Sequence, residues 1–174
     1  MKVYKYDKFY NYEIIEISNV ENIRTLSKDY IYFEKINDIV KPFFDIDIYD
    51  IKHTTDEYEK YYATLFQLIF PNAEIAISSS HNKDIKLSYH FVINNYEYKL
   101  SELNEFIQNH PILSIDNNID KTIYKVRPPH YEVNFIGHSK LLFRLLYSYK
   151  THEDKRIKTP SNYHNDLSKH IISV

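Results

Sequence analysis

The run Lys41-Pro-Phe-Phe-Asp-Ile-Asp-Ile-Tyr49 decides how the chain reads. Residues two apart on a strand point the same way, so Phe44, Ile46 and Ile48 make one face and Phe43, Asp45, Asp47 and Tyr49 the other. The first set is a core face. The second sets two carboxylates side by side, their Cα atoms roughly 7 Å apart by strand rise. Like charges at that spacing repel unless a cation lies between them, and Mg²⁺ or Mn²⁺ with phosphate oxygens is the usual solution. The plain alternative is an exposed edge strand with two solvated acids, because Asp-x-Asp is a common pattern.

Outward from this strand, a second row lies in Lys86-Leu-Ser-Tyr-His90. Lys86, Ser88 and His90 fall at i, i+2 and i+4 on one strand face, while Leu87, Tyr89, Phe91 and Ile93 alternate mostly to the other. A cation, a hydroxyl and an imidazole in one row can grip a triphosphate, since each donates to phosphate oxygens. Taken singly, Lys86 reads as a solvated lysine and His90 as a half-buried histidine. A third stretch, Ser114-Ile-Asp-Asn-Asn-Ile-Asp-Lys-Thr-Ile-Tyr124, offers a further carboxylate, Asp120 or else Asp116. It is followed by Phe135-Ile-Gly-His-Ser-Lys140, where the only glycine of the chain marks a turn.

Composition narrows the chemistry. The 174 residues suffice for one domain with a real core, and 43 % hydrophobic with 16 % aromatic content excludes a disordered chain. One glycine cannot build a P-loop or a dinucleotide cradle, and without cysteine there is no disulfide, no cysteine-ligated zinc and no thiol nucleophile. The nine histidines lack ligand spacing. A formal net charge of −2 argues against a general coat for polyanions while leaving room for a local basic face. No apolar run reaches the roughly 18 to 20 residues that span a bilayer and no signal pattern opens the chain. The expectation is a soluble intracellular protein, cytoplasmic rather than nuclear, with no membrane partner.

Strand-like runs at Tyr10 to Ile17, Tyr30 to Ile36, Glu74 to Ser79 and Lys86 to Asn94 interleave with helical patterns at Thr55 to Phe70 and Ser101 to Asn109, each closed by a proline. A short helix after Ser18 has a capping box with Glu21. Ile119 to Phe135 reads as extended, and Leu141 to Tyr149 is too evenly apolar to decide. The class is α+β or α/β, with one sheet covered by helices on one face and its other face free for a site. Residues 1–149 form the domain, and 150–174, polar and basic, read as a tail or exposed terminal segment.

Together, Phe43-Phe-Asp-Ile-Asp47, Lys86-Leu-Ser-Tyr-His90 and Asp120-Lys-Thr-Ile-Tyr124 with Gly137-His-Ser-Lys140 resemble the three ordered motifs of the archaeo-eukaryotic primase superfamily. The nearest branch is that of primase-polymerases and the primase modules of large DNA viruses, including the poxvirus primase-helicase. The resemblance runs from about Tyr30 to Leu145. It implies an RRM-like mixed sheet with helices on one face and the active site on the other. It implies that Asp45, Asp47 and Asp120 hold two divalent ions, Mg²⁺ or Mn²⁺, that Lys86, Ser88 and His90 contact the phosphates of an incoming NTP or dNTP, and that Lys140 matches the nucleotide-binding lysine ending the third motif. Family members place an arginine just before the stretch matching Phe135-Ile-Gly137. This chain has Val133-Asn134-Phe135 there, so Arg127 or Arg144 is the candidate replacement.

The implied activity is DNA-dependent primer synthesis on single-stranded DNA by two-metal nucleotidyl transfer, as part of viral or mobile-element replication, with a replicative helicase on a separate chain or on a missing segment. Two rivals stand beside it. A catalytically degenerate primase-like subunit for nucleic-acid binding or assembly is suggested by the missing arginine and the negative net charge. A sugar-nucleotide transferase would use Asp-x-Asp too, but it needs a larger nucleotide-binding half and leaves the Lys-x-Ser-x-His row unexplained.

Overall fold

The computed structural model describes residues 1–82, 85–124 and 142–174. Its strands are β1 (Lys2–Tyr6), β2 (Tyr12–Glu16), β3 (Ile31–Lys35), β4 (Ile39–Val40), β5 (Phe43–Ile48), β6 (Glu74–Ser79), β7 (Leu87–Asn94), β8 (Tyr98–Lys99), β9 (Leu142–Arg144) and β10 (Thr159–Pro160). The helices are α1 (Thr55–Ile69) and α2 (Leu100–Asn109). Every strand pairing among the described residues is antiparallel, which fixes the class as α+β.

The site-bearing sheet runs β10-β6-β7-β5. Its far edge is extended at one point, where Ile119 bridges Ile46 and the backbone exchanges Asp47 N–H to Asn118 O at 2.8 Å and Asp120 N–H to Asp45 O at 2.9 Å. One face is built as the alternation requires. Phe44, Ile46, Ile48, Tyr89, Phe91 and Ile93 are all buried and meet Tyr62, Leu65 and Phe66 of α1. Phe44 stacks on Phe66 with ring centroids 4.1 Å apart, and Phe66 meets Phe91 edge-on at 5.2 Å. Helix α1 begins with a reciprocal capping box, Thr54 N–H donating to Glu57 Oε2 at 2.8 Å and Glu57 N–H to Thr54 Oγ1 at 3.3 Å. It ends before Pro71 and Asn72, the latter in the left-handed region at φ 65°, a conformation asparagine tolerates well. No helix among the described residues is long and apolar enough to cross a membrane.

Four expectations need correction. Among the described residues there is not one sheet but two of four strands, the second ordered β2-β1-β3-β9, with a small β4-β8 ribbon as well. The extra sheet starts with β1, whose five residues are too short to declare themselves without their partners. The turn at Val20–Thr25 is a 3-10 helix capped by Asn19, which accepts Glu21 N–H, and not by Ser18. Ile119 pairs in extended fashion, but Lys121–Tyr124 form a second 3-10 turn, and residues 125–135 lie outside the described residues. Finally, the segment 150–174 is not an exposed tail. Thr159 and Pro160 pair with Ser79 and Ser78, Leu167 and Ile172 are fully buried, and the buried Glu34 carboxylate accepts the backbone N–H groups of Ile172 and Ser173 at 3.1 and 2.6 Å. The apolar residues Leu167, Ile171 and Ile172 anchor it, while its many lysines conceal them in the average composition.

The packing yields a stability prediction. Phe66→Ala opens a cavity between α1 and the sheet and costs about 3–5 kcal/mol, read as a lowered urea midpoint at unchanged slope. Leu68→Ala, on a residue 76 % exposed, changes stability by less than about 0.5 kcal/mol. Equal effects at the two positions would contradict the assigned helix face.

Candidate functional site

The register of β5 on β7 sets Asp45 opposite His90 and Asp47 opposite Ser88. On the other side of β7, Ser78 lies opposite His90, and Ser80 N–H donates to Ser88 O at 3.0 Å. The acids and the phosphate-donor row read from the sequence therefore share one face, opposite the helices. Part of that face is roofed by the second sheet: Phe143 of β9 stacks on the His90 ring at 4.0 Å and meets Phe43 at 5.0 Å. The open part is a cavity of about 280 Å³ lined by Asp45, Asp47, Lys86, Ser88 and His90, with Ser80, Phe33, Arg144, Lys150, Thr151 and Arg156 completing the wall. A larger groove of about 730 Å³, mainly apolar, lies between α1 and residues 112–118. The charged residues of the two motifs converge on the smaller one.

Lys86 pairs with Asp47, and its ammonium lies 5.2 Å from the centre of the Tyr49 ring. Burial lowers the lysine, but the Asp47 carboxylate outweighs it and the net shift is upward. His90 Nε2 is 3.5 Å from Asp45 Oδ1. Burial, then the Lys158 and Arg144 charges, push the imidazole down to about 3 against the pull of Asp45, so the ring is neutral at pH 7. Burial opposes ionisation of Asp45, yet the adjacent His90, and after it Lys158 and Lys86, hold it well below the usual carboxylate range. Arg144 is lowered to about 10, chiefly by burial, and donates through Nη1 to Arg156 O at 3.1 Å. Arg156 grips Asp154 through Nε at 2.9 and 3.1 Å.

The predicted acids are brought together only in part. Asp120 is the backbone neighbour of Asp45 across the sheet edge, but its carboxylate caps the next turn, accepting Thr122 N–H at 2.9 Å and Thr122 Oγ1 at 2.6 Å. Asp116 is occupied elsewhere by Tyr62 and Asn118. Among the described residues no three His, Cys, Asp or Glu side chains are grouped for a metal. The donor chemistry of the remaining pair does suit a hard cation, since Asp45 Oδ1 and Asp47 Oδ1 are buried oxygens without a hydrogen-bond partner among the described residues. Of the two candidate arginines, Arg144 reaches the cavity. Arg127 and Lys140 lie outside the described residues.

Four contributors escaped the sequence reading: Ser80, Lys150, Arg156 and Lys158. Lys158 is 1 % exposed, directly precedes Thr159 opposite Ser79, and is pushed well below the ordinary lysine range by burial, against the pull of Asp45 and Asp47. The alternation Arg156-Ile157-Lys158 carries the signal, two cations on one side of an extended segment. A scan against models of known protein families finds no match, and neither does a search of the curated proteins.

The neutral state of His90 is measurable. Because the folded chain resists protonating it, folding stability falls as pH drops below about 6.5, the ordinary histidine value, toward about 3. In ¹⁵N-histidine NMR its ring retains neutral shifts from about pH 8 to about pH 5. A titration midpoint near the ordinary value would contradict this balance of burial and charge.

Proposed function

We propose that the chain is the catalytic module of a DNA primase or primase-polymerase, which transfers nucleotides onto a 3′-hydroxyl along a single-stranded DNA template. The observation that carries this reading is the β5–β7 register, which opposes two acids to a row of phosphate donors on one sheet face. The chain order β5–α1–β6–β7–α2, then the Asn118–Asp120 edge, with spatial order edge-β5-β7-β6, supports an RRM-like split βαβ core.

Asp45 and Asp47 would hold Mg²⁺ or Mn²⁺, which when bound supplies positive charge at the attacking and leaving oxygens. The chain's own residues do the rest. Lys86 and Ser88 offer an ammonium and a hydroxyl to the phosphates, and neutral His90 has one N–H to give, its ring held by Phe143. Arg144 counters the charge that grows on the departing pyrophosphate as the 3′-oxygen bonds to the α-phosphorus. The partly buried walls exclude water and strengthen each of these contacts.

One observation favours a second reading, a catalytically silent primase-like binding subunit: the Asp120 carboxylate is spent on Thr122 and leaves two acids, not three. Primer synthesis on single-stranded DNA with NTP or dNTP and Mn²⁺ distinguishes the two. The proposal expects product from the wild type and a loss of at least about a hundredfold in Asp45→Ala and in Asp47→Ala. It also expects Mn²⁺-dependent NTP binding by calorimetry. Undiminished synthesis in both variants overturns the site, and DNA binding with neither synthesis nor metal-dependent NTP affinity supports the silent subunit.

A further inference from the structure

The face opposite the β7 row is built by a segment that none of the three motifs contains. Residues 149–157 form a small hairpin: Tyr149 bridges Ile157, Lys150 N–H donates to Arg156 O at 3.1 Å, and Thr151 N–H donates to Asp154 O at 3.2 Å. The Arg144 guanidinium fastens this hairpin to β9 through the same Arg156 carbonyl. Lys150, Thr151 and Arg156 line the cavity shared with Asp47, Lys86 and His90.

Among the described residues the charges there do not balance. Lys86, Arg144, Lys150 and Arg156 line the space with Asp45 and Asp47, and Asp154 adjoins it through Arg156. Lys86 is taken up by Asp47 and Arg156 by Asp154, while Lys150 reaches Asp154 only at 4.0 Å. Burial and then the charges of Lys86, Arg156 and Arg144 push Lys150 downward, a sign of mutual repulsion. Two buried donors have no hydrogen-bond partner among the described residues: Ser80 Oγ on this wall, and Lys158 Nζ in the segment that continues the hairpin, their residues 6 % and 1 % exposed. Unmatched cations and unpartnered buried donors around one concave space are what a compact polyanion relieves.

We infer that the hairpin 149–157, with Lys158 behind it, is the second half of a polyphosphate site and closes on the β7 row from the opposite side. The inference rests on the nucleotidyl-transfer reading and assigns to Lys150 and Arg156, which line the cavity, the holding of the nucleotide's phosphate chain. A strand of nucleic acid wants a stripe of cations along a groove. These cations instead converge on a cavity of about 280 Å³, at the small end for ligand clefts.

The test is calorimetric titration of the full chain, without template, with inorganic tripolyphosphate and separately with oligothymidylate, at one fixed salt concentration. Lys150→Ala and Arg156→Ala each weaken tripolyphosphate binding about tenfold, the loss of one charge-assisted contact, and leave oligothymidylate binding little changed. Lys60→Ala, on exposed α1 surface, changes neither. Arg156 also anchors Asp154, so Lys150→Ala, whose backbone pairing survives the substitution, keeps the result independent of hairpin folding. The inference falls if the wild type does not bind tripolyphosphate, if both variants bind like wild type, or if only oligothymidylate binding suffers. If the variants behave as expected while the wild type makes no primer, the polyphosphate wall stands and the transfer reading falls.

Discussion

Everything in this molecule that resembles a site depends on the register between β5 and β7. With Asp45 facing His90, Asp47 facing Ser88 and Lys86 paired with Asp47, both acids share a face with the lysine, the hydroxyl and the imidazole. A slip of one residue would carry the acids into the helix-covered core and bring Phe44 and Ile46 to the surface. That slip is prevented by packing. Phe44, Ile46, Tyr89 and Phe91 are fully buried against α1, and the Phe44–Phe66 stack fixes the strand against the helix at ring distance. The residues that hold the register are thus distinct from the residues that use it.

The opposite face shows how a fold can hold polar groups at a partly buried position. Asp45 remains ionised despite burial because His90 beside it, and then Lys158 and Lys86, favour its carboxylate. His90, in the same place, remains neutral because burial, Lys158 and Arg144 together outweigh the pull of Asp45. The cations come from separated parts of the chain: Lys86 from the turn before β7, Arg144 from β9, and Lys150, Arg156 and Lys158 from the C-terminal segment. Burial of Leu167 and Ile172 and the grip of Glu34 on Ile172 and Ser173 tie that segment down. Packing far from the cavity therefore determines its charge.

Much of this was legible in the sequence and some was not, for physical reasons. The faces of β5 and β7 followed from period-two alternation, and α1 from the helical spacing of Tyr58, Tyr61, Tyr62, Leu65 and Ile69 with Pro71 to stop it. Strand β1 and the second sheet were missed because a short strand is defined by its partners, which lie far along the chain: β1 pairs with both β2 and β3. Lys158 was hidden because a lysine in a basic stretch reads as solvated, and only the pairing of Thr159 with Ser79 carries it inward. Asp120 illustrates the reverse case. Its backbone lies where the motif order suggested, beside Asp45, but an aspartate ahead of a turn has a local alternative, and Thr122 takes its carboxylate.

The most direct measurement is a crystal structure of the chain soaked with a nucleoside triphosphate and Mn²⁺, with the metal located by its anomalous scattering. The expected result is manganese bound by Asp45 and Asp47, with the phosphates between the Lys86–Ser88–His90 row and the hairpin of Lys150 and Arg156. Nucleotide seated instead in the groove beside α1, with no manganese at Asp45 and Asp47, would contradict it.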